Sequence, residues 1–157
     1  MATTDSADAR LERLEAIQAI LHVKHRYGEL VDRLSGRLDR SDLEALGELF
    51  IEDAFVDFVS VQLVGRQAIL DLYGGAMQKN FSWVWHSFHS PVIEVAGDRA
   101  SARWTLQGMT IGHDSPTPTT VYGRYSDELV RTSKGWRISR MVLIPGPTGL
   151  QVELRRG

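Results

Sequence analysis

The stretch Leu38–Ala54, LDRSDLEALGELFIEDA, decides the reading of the fold. Ser41 with Glu44 three positions later is a capping box, so a helix is predicted to start here. Leu43, Leu46, Leu49 and Phe50 recur at helical steps and supply one buried face. Glu52-Asp53-Ala54 ends the helix, and a run rich in Val and Phe follows to Val64, which reads as a strand or hairpin.

Upstream of this stretch, Leu11 to about Leu34 is helical. Ile20, Val23, Tyr27, Leu30 and Leu34 fall on one stripe, and Ser35-Gly36 kinks or ends the helix. Downstream, Gly65 to Met77 reads as a short helix loosened by Gly74-Gly75. Strands are predicted near His86–Val95, Arg99–Ile111, Val121–Thr132 and Trp136–Ile144. Gly97-Asp98 and Ser133-Lys134-Gly135 form turns, and a proline-bearing loop covers Gly112–Thr120. Helices first and an antiparallel sheet after is the α+β pattern. A single domain is expected over residues 10–145, with tails at 1–9 and 146–157.

Composition narrows the function classes. The chain has 157 residues, enough for one domain with one core, and 43% of them are hydrophobic. The net charge is -2 and the basic residues are scattered, whereas a nucleic-acid partner needs a concentrated positive face. There is no cysteine, so disulfides, thiolate nucleophiles and cysteine metal sites are excluded. No apolar run is long enough to span a membrane, and Met1–Arg10 has no apolar signal core, so a cytoplasmic protein without a membrane partner is expected. Walker, GxGxxG, GxSxG and HExxH motifs are all missing, which argues against nucleotide cofactors and serine-hydrolase chemistry.

Several short motifs, in order, resemble the SnoaL-like branch of the NTF2-like superfamily, which includes scytalone dehydratase. They are Tyr27–Asp32 (YGELVD), Leu38–Asp42, Leu46–Phe50, Glu52-Asp53-Ala54, and His86 leading into Pro91–Val95. Gly97–Ala100, Gly123–Asp127 and Gly135–Ile138 complete the set, so the resemblance spans about Leu14 to Leu143. It implies a cone, with N-terminal helices packed in a curved, mainly antiparallel sheet around a deep apolar pocket. It also implies a catalytic aspartate near the end of the first helical segment and a histidine at His86, with a tyrosine upstream of the aspartate in some members.

Two aspartates compete for the first role. Counting back from Asp53-Ala54 favours Asp39, and counting forward from Tyr27 favours Asp32. Arg33–Asp39 looks like a seven-residue insertion, which on a helix of about 3.6 residues per turn returns to nearly the same face. Asp39 is preferred and Asp32 kept as the alternative. Either carboxylate would orient the imidazole of His86 and raise the basicity of its free nitrogen. The plainer reading is a helix-capping aspartate and a surface histidine.

Tyr27, on the apolar stripe, and Tyr125 are candidates for donating a hydrogen bond to a substrate oxygen, though Tyr27 also suits the core. Trp104 could wall the pocket or simply pack, and Arg140 could bind an anionic group or form a surface ion pair. His86 and His89 are three apart, so on a strand they face opposite sides, and no metal or other cofactor is expected. The expected function is proton abstraction from carbon of a small, largely apolar carbonyl- or ring-bearing substrate, leading to dehydration, isomerisation or cyclisation. The alternatives are a non-catalytic binder with the same pocket, or an assembly subunit like the small subunit of ring-hydroxylating dioxygenases. The resemblance also implies a homodimer or homotrimer.

Overall fold

The computed structural model describes residues 6–146. Helix α1 spans Ala7–Leu34, longer at its start than the sequence pattern indicates, because Ser6 caps it by accepting from Ala9 N. Residues 7–9 of the expected tail are therefore helical, while residues 1–5 and 147–157 of the two expected tails lie outside the described residues. Asp8 in the first turn and Arg33 in the last complement the helix dipole. Ile20, Val23, Tyr27, Leu30, Val31 and Leu34 form the buried stripe.

Helix α2 spans Arg40–Gly47. Its N-cap is Asp39, not Ser41: the Asp39 side chain accepts from Ser41 N and Asp42 N, so the expected capping box is not the one used. Strand β1 (Phe50–Asp57) pairs antiparallel with the short β2 (Gln62–Val64). Helix α3 (Arg66–Asp71), one turn of π-helix (Leu72–Ala76) and helix α4 (Met77–Asn80) replace the single short helix read from the sequence. Four long strands follow: β3 (Phe81–Ala96), β4 (Arg99–Gly112), β5 (Ser115–Thr132) and β6 (Gly135–Pro145).

The six strands form one sheet in the order β2-β1-β6-β5-β4-β3. All neighbours are antiparallel except β1 and β6, which run parallel. The proline-bearing loop expected at Gly112–Thr120 is mostly strand, since Met109 pairs with Thr120 and Thr110 with Thr119. Pro116 and Pro118 are tolerated because β6 pairs with β5 only from Gly123 onward. Among the described residues this end of β5 therefore has a free edge, where a missing N–H costs no ladder bond.

One face of the sheet closes on α1. Along β4, Ala100, Ala102, Trp104 and Leu106 are buried while Arg99, Ser101, Arg103 and Thr105 are exposed, the two-residue period of a half-buried strand. Tyr125, Leu129, Ile138 and Met141 extend this inner face to β5 and β6 and join the α1 stripe in one core. Gly28 lets the layers approach: a Cβ there would lie 2.8 Å from Phe88 Cε2. Phe88 thus rests on the helix and its ring stacks on that of His86, with centroids 5.8 Å apart.

Candidate functional site

The last turn of α1 carries Asp32 to the inner edge of β3. Its Oδ1 lies 2.7 Å from His86 Nδ1, and its Oδ2 accepts the His86 backbone N–H at 3.1 Å. Both side chains are mostly sheltered, 24% and 13% exposed. With Nδ1 engaged by a carboxylate, the ring is held with its proton on Nδ1 and Nε2 left as the basic nitrogen. His86 is among the residues that line an apolar cavity.

The expected pairing of Asp39 with His86 is not formed; the alternative, Asp32, makes it. Asp39 Oδ1 is committed to the start of α2, taking Ser41 N at 2.8 Å and Ser41 Oγ at 2.6 Å. These hydrogen bonds, the Ser41 hydroxyl first, hold its carboxyl below the usual range. The counting argument failed because helix α1 does not continue through Arg33–Asp39. It stops at Leu34, Ser35 is extended and Gly36 is left-handed at φ +71°, so a seven-residue step does not return to the same face.

Three tyrosines converge beside the dyad. Tyr27 is fully buried and its hydroxyl lies 2.7 Å from that of Tyr73 on the π-turn. The Tyr27 ring stands 6.3 Å from both His86 and Tyr125. Burial is the main cause that pushes all three phenols up, so each is a neutral hydrogen-bond donor at ordinary pH. Tyr27 also interacts through its hydroxyl with Tyr125, so two of the three O–H groups are engaged within the cluster and one is left to donate. Tyr73 was missed from the sequence. Its one signal was the Gly74-Gly75 pair that follows it, in a segment read only as a fraying helix.

The cavity has a volume of about 500 Å³. Tyr27, Tyr73, Tyr125 and His86 share its wall with apolar groups such as Phe58, Leu72, Met77, Phe81, Leu106 and Met109. Among the described residues, no Lys, Arg, Asp or Glu lines it. Two residues expected to bind substrate are not there. Trp104 is buried behind the wall, 2% exposed. Arg140 points to the opposite face, exposed, with its guanidinium 5.2 Å from the Phe55 ring centre, because the inward position on β6 belongs to the neighbouring Met141.

Behind Tyr125 lies a charge pair that the sequence did not announce. Lys24 Nζ is 2.9 Å from Asp127 Oδ2, both 2% exposed. The ammonium also lies 3.7 Å from the Tyr125 ring centre and 4.8 Å from that of Phe88. Burial pulls the lysine down and pushes the aspartate up, and each partner opposes the other's shift. Among the described residues no group of three or more His, Cys, Asp or Glu could hold a metal ion, and no helix is long and apolar enough to cross a membrane.

Known proteins place this architecture. An uncharacterized protein of Mycobacterium tuberculosis is 30% identical over 115 residues, 72% of this chain and 78% of the relative. Among solved structures, an NTF2-like protein with a cystatin-like fold from Novosphingobium aromaticivorans is 27% identical, with a TM-score of 0.72 over 90% of each chain. A hexachlorocyclohexane dehydrochlorinase from Novosphingobium barchaimii shares the fold at 16% identity, with a TM-score of 0.77 over 89% of this chain and 92% of that one. The curved sheet around α1 is thus the NTF2-like α+β cone. The model of the SnoaL-like domain matches residues 12–142, and the chain belongs to that family.

Proposed function

We propose that this protein is an enzyme that removes a proton from carbon of a small uncharged carbonyl- or ring-bearing molecule, with His86 Nε2 as the base. The observation that carries this reading is the Asp32–His86 pair at a cavity that no Lys, Arg, Asp or Glu lines among the described residues. Asp32 fixes the tautomer and stabilises the imidazolium that forms. The one O–H left over in the cluster of Tyr27, Tyr73 and Tyr125 donates to the substrate oxygen that gains charge. The proton taken by Nε2 is then returned to another carbon, giving isomerisation, or to a departing hydroxide, giving dehydration. Cyclisation shares the first step. The neighbour from Novosphingobium barchaimii, by its name, eliminates from an uncharged ring, although the likeness to it rests on the fold.

A substrate with a carboxylate or phosphate at the reacting end is disfavoured. Among the described residues the lining offers no Lys or Arg, and the cavity keeps three buried phenols neutral. Self-association into a dimer or trimer belongs to the same proposal, supported by exposed Trp83, Trp85, Tyr122 and Ile144 on the long strands.

The test is deuterium uptake from heavy water into a panel of neutral cyclic ketones and enones, followed by NMR. The full chain should exchange the hydrogen next to the carbonyl of at least one compound, and His86→Gln should lose that exchange while keeping its fold. Compounds that bind without any exchange would identify a binder, and exchange that survives in His86→Gln would remove the base.

A further inference from the structure

Among the described residues, strand β3 is an edge strand, with β4 on one side and no strand on the other. Such an edge leaves every second N–H without a ladder partner. At the site these groups are taken by side chains from the end of α1. Val84 N donates to Ser35 Oγ at 3.0 Å, and His86 N donates to Asp32 Oδ2 at 3.1 Å. Ser35 Oγ in turn donates to the Asp32 carbonyl at 2.7 Å. Asp32 and Ser35 are three residues apart on the helix, and they meet N–H groups two residues apart on the strand. Together they stand in for the missing neighbour strand. The chain then leaves past the same edge at Gly36, where a Cβ would collide with the Ser82 carbonyl oxygen.

We infer that Ser35 is a positioning residue for the His86–Asp32 pair, a role that rests on the proposed function only for what the pair is used for. Asp32 alone holds the strand at one residue, His86, and leaves it free to pivot there. Ser35 adds a second tether at Val84, two residues away on the same inward-facing row. Its hydroxyl also joins that tether to the Asp32 backbone, so carboxylate and imidazole are referenced to one helix turn. Without the hydroxyl, the Val84 N–H has no partner, and the edge relaxes where the Asp32–His86 bond needs its geometry. A serine that merely ended the helix would affect stability and leave the imidazole untouched.

The test needs no substrate. In the ¹⁵N-labelled full chain, NMR reads the His86 ring signals, assigned by their loss in His86→Gln. The expected state has Nδ1 protonated, Nε2 bare and slow exchange of the Nδ1–H with water. Ser35→Ala should speed that exchange about tenfold, the loss of one hydrogen bond's worth of restraint, and move both ring nitrogens toward tautomer averaging. Ser35→Thr, which keeps the hydroxyl, should restore both. A folded Ser35→Ala with unchanged ring signals overturns the role, whatever its melting temperature. Should Ser35→Ala not fold, Ser35→Cys keeps the volume and weakens both hydrogen bonds, and unchanged signals there overturn the role equally. If the unmodified chain shows no restrained Nδ1–H, the dyad and the proposed function fail together with it. Unchanged signals in the variants alone remove only Ser35.

Discussion

Asp32 grips His86 twice, at the ring through Oδ1 and at the backbone through Oδ2. One carboxylate therefore sets both where the residue sits and which nitrogen carries the proton. Asp32→Asn keeps the shape, but its amide can donate to Nδ1 and favour the tautomer with the proton on Nε2, the wrong nitrogen for a base. Turnover should fall by on the order of 10²–10⁴-fold with the fold retained. Asp39→Asn should leave turnover within about twofold, since asparagine caps a helix as well as aspartate does. A larger loss in Asp39→Asn than in Asp32→Asn would show that the working carboxylate had been misassigned.

The tyrosine cluster makes a pH prediction. Tyr27, Tyr73 and Tyr125 all have phenols raised above the ordinary value of 10.0 by burial. In the unfolded chain these groups ionise near that ordinary value, while in the folded protein they stay protonated. The unfolded state therefore binds fewer protons above about pH 10, and stability falls as pH rises through that range. Each tyrosine contributes up to about 1.4 kcal/mol per pH unit. Tyr73→Phe removes one such group, so denaturant unfolding measured between pH 9 and 11 should show a shallower decline. An unchanged slope would mean that Tyr73 ionises in the folded protein.

Much of this was legible from residue order. The period-three and period-four stripe of α1 and the alternation of β4 follow directly from side-chain types, and His86 stood out as a histidine opening a strand-like run. The aspartate register was not legible. Ser35-Gly36 marked the helix end, but which aspartate reaches His86 depends on how the end of α1 meets β3, a contact between segments about fifty positions apart. Arg140 and Trp104 failed for a related reason. Their distance from the cavity depends on how each strand is seated against α1, which local pattern leaves undetermined. Lys24 looks like an ordinary helix-surface residue until Asp127 is brought to it.

Gly28 tests how closely His86 depends on its packing. The site where a Cβ would go is occupied by the edge of Phe88, whose ring stacks on the imidazole. Gly28→Ala gains helix propensity but must displace that ring. Overpacking of this kind costs about 1–3 kcal/mol, more than the propensity returns. Thermal or denaturant unfolding should show a net loss, accompanied by a shift in the His86 ring signals. A net gain in stability with unmoved signals would mean that Phe88 has room to yield and does not brace the base.

The Lys24–Asp127 pair poses the sharpest energetic question, because both charges sit in the core among aromatic rings. Removing one leaves the other buried without its counter-charge, so Lys24→Met and Asp127→Leu should each cost about 3–5 kcal/mol. The double variant leaves no uncompensated charge and fills the space with apolar atoms, so much of that loss should return. A double-mutant cycle from denaturant midpoints then isolates the coupling. Tyr125 sits between this pair and the cavity, its ring centre 3.7 Å from the ammonium. The stable double variant therefore also shows whether the cation matters to the site. If it binds a neutral ligand as the unmodified chain does but turns it over more slowly, the charge pair orders the Tyr125 hydroxyl for the reaction. If the single substitutions are cheap and additive, the pair is not charged in the folded protein, and the core around Tyr125 holds a neutral amine and a neutral acid instead.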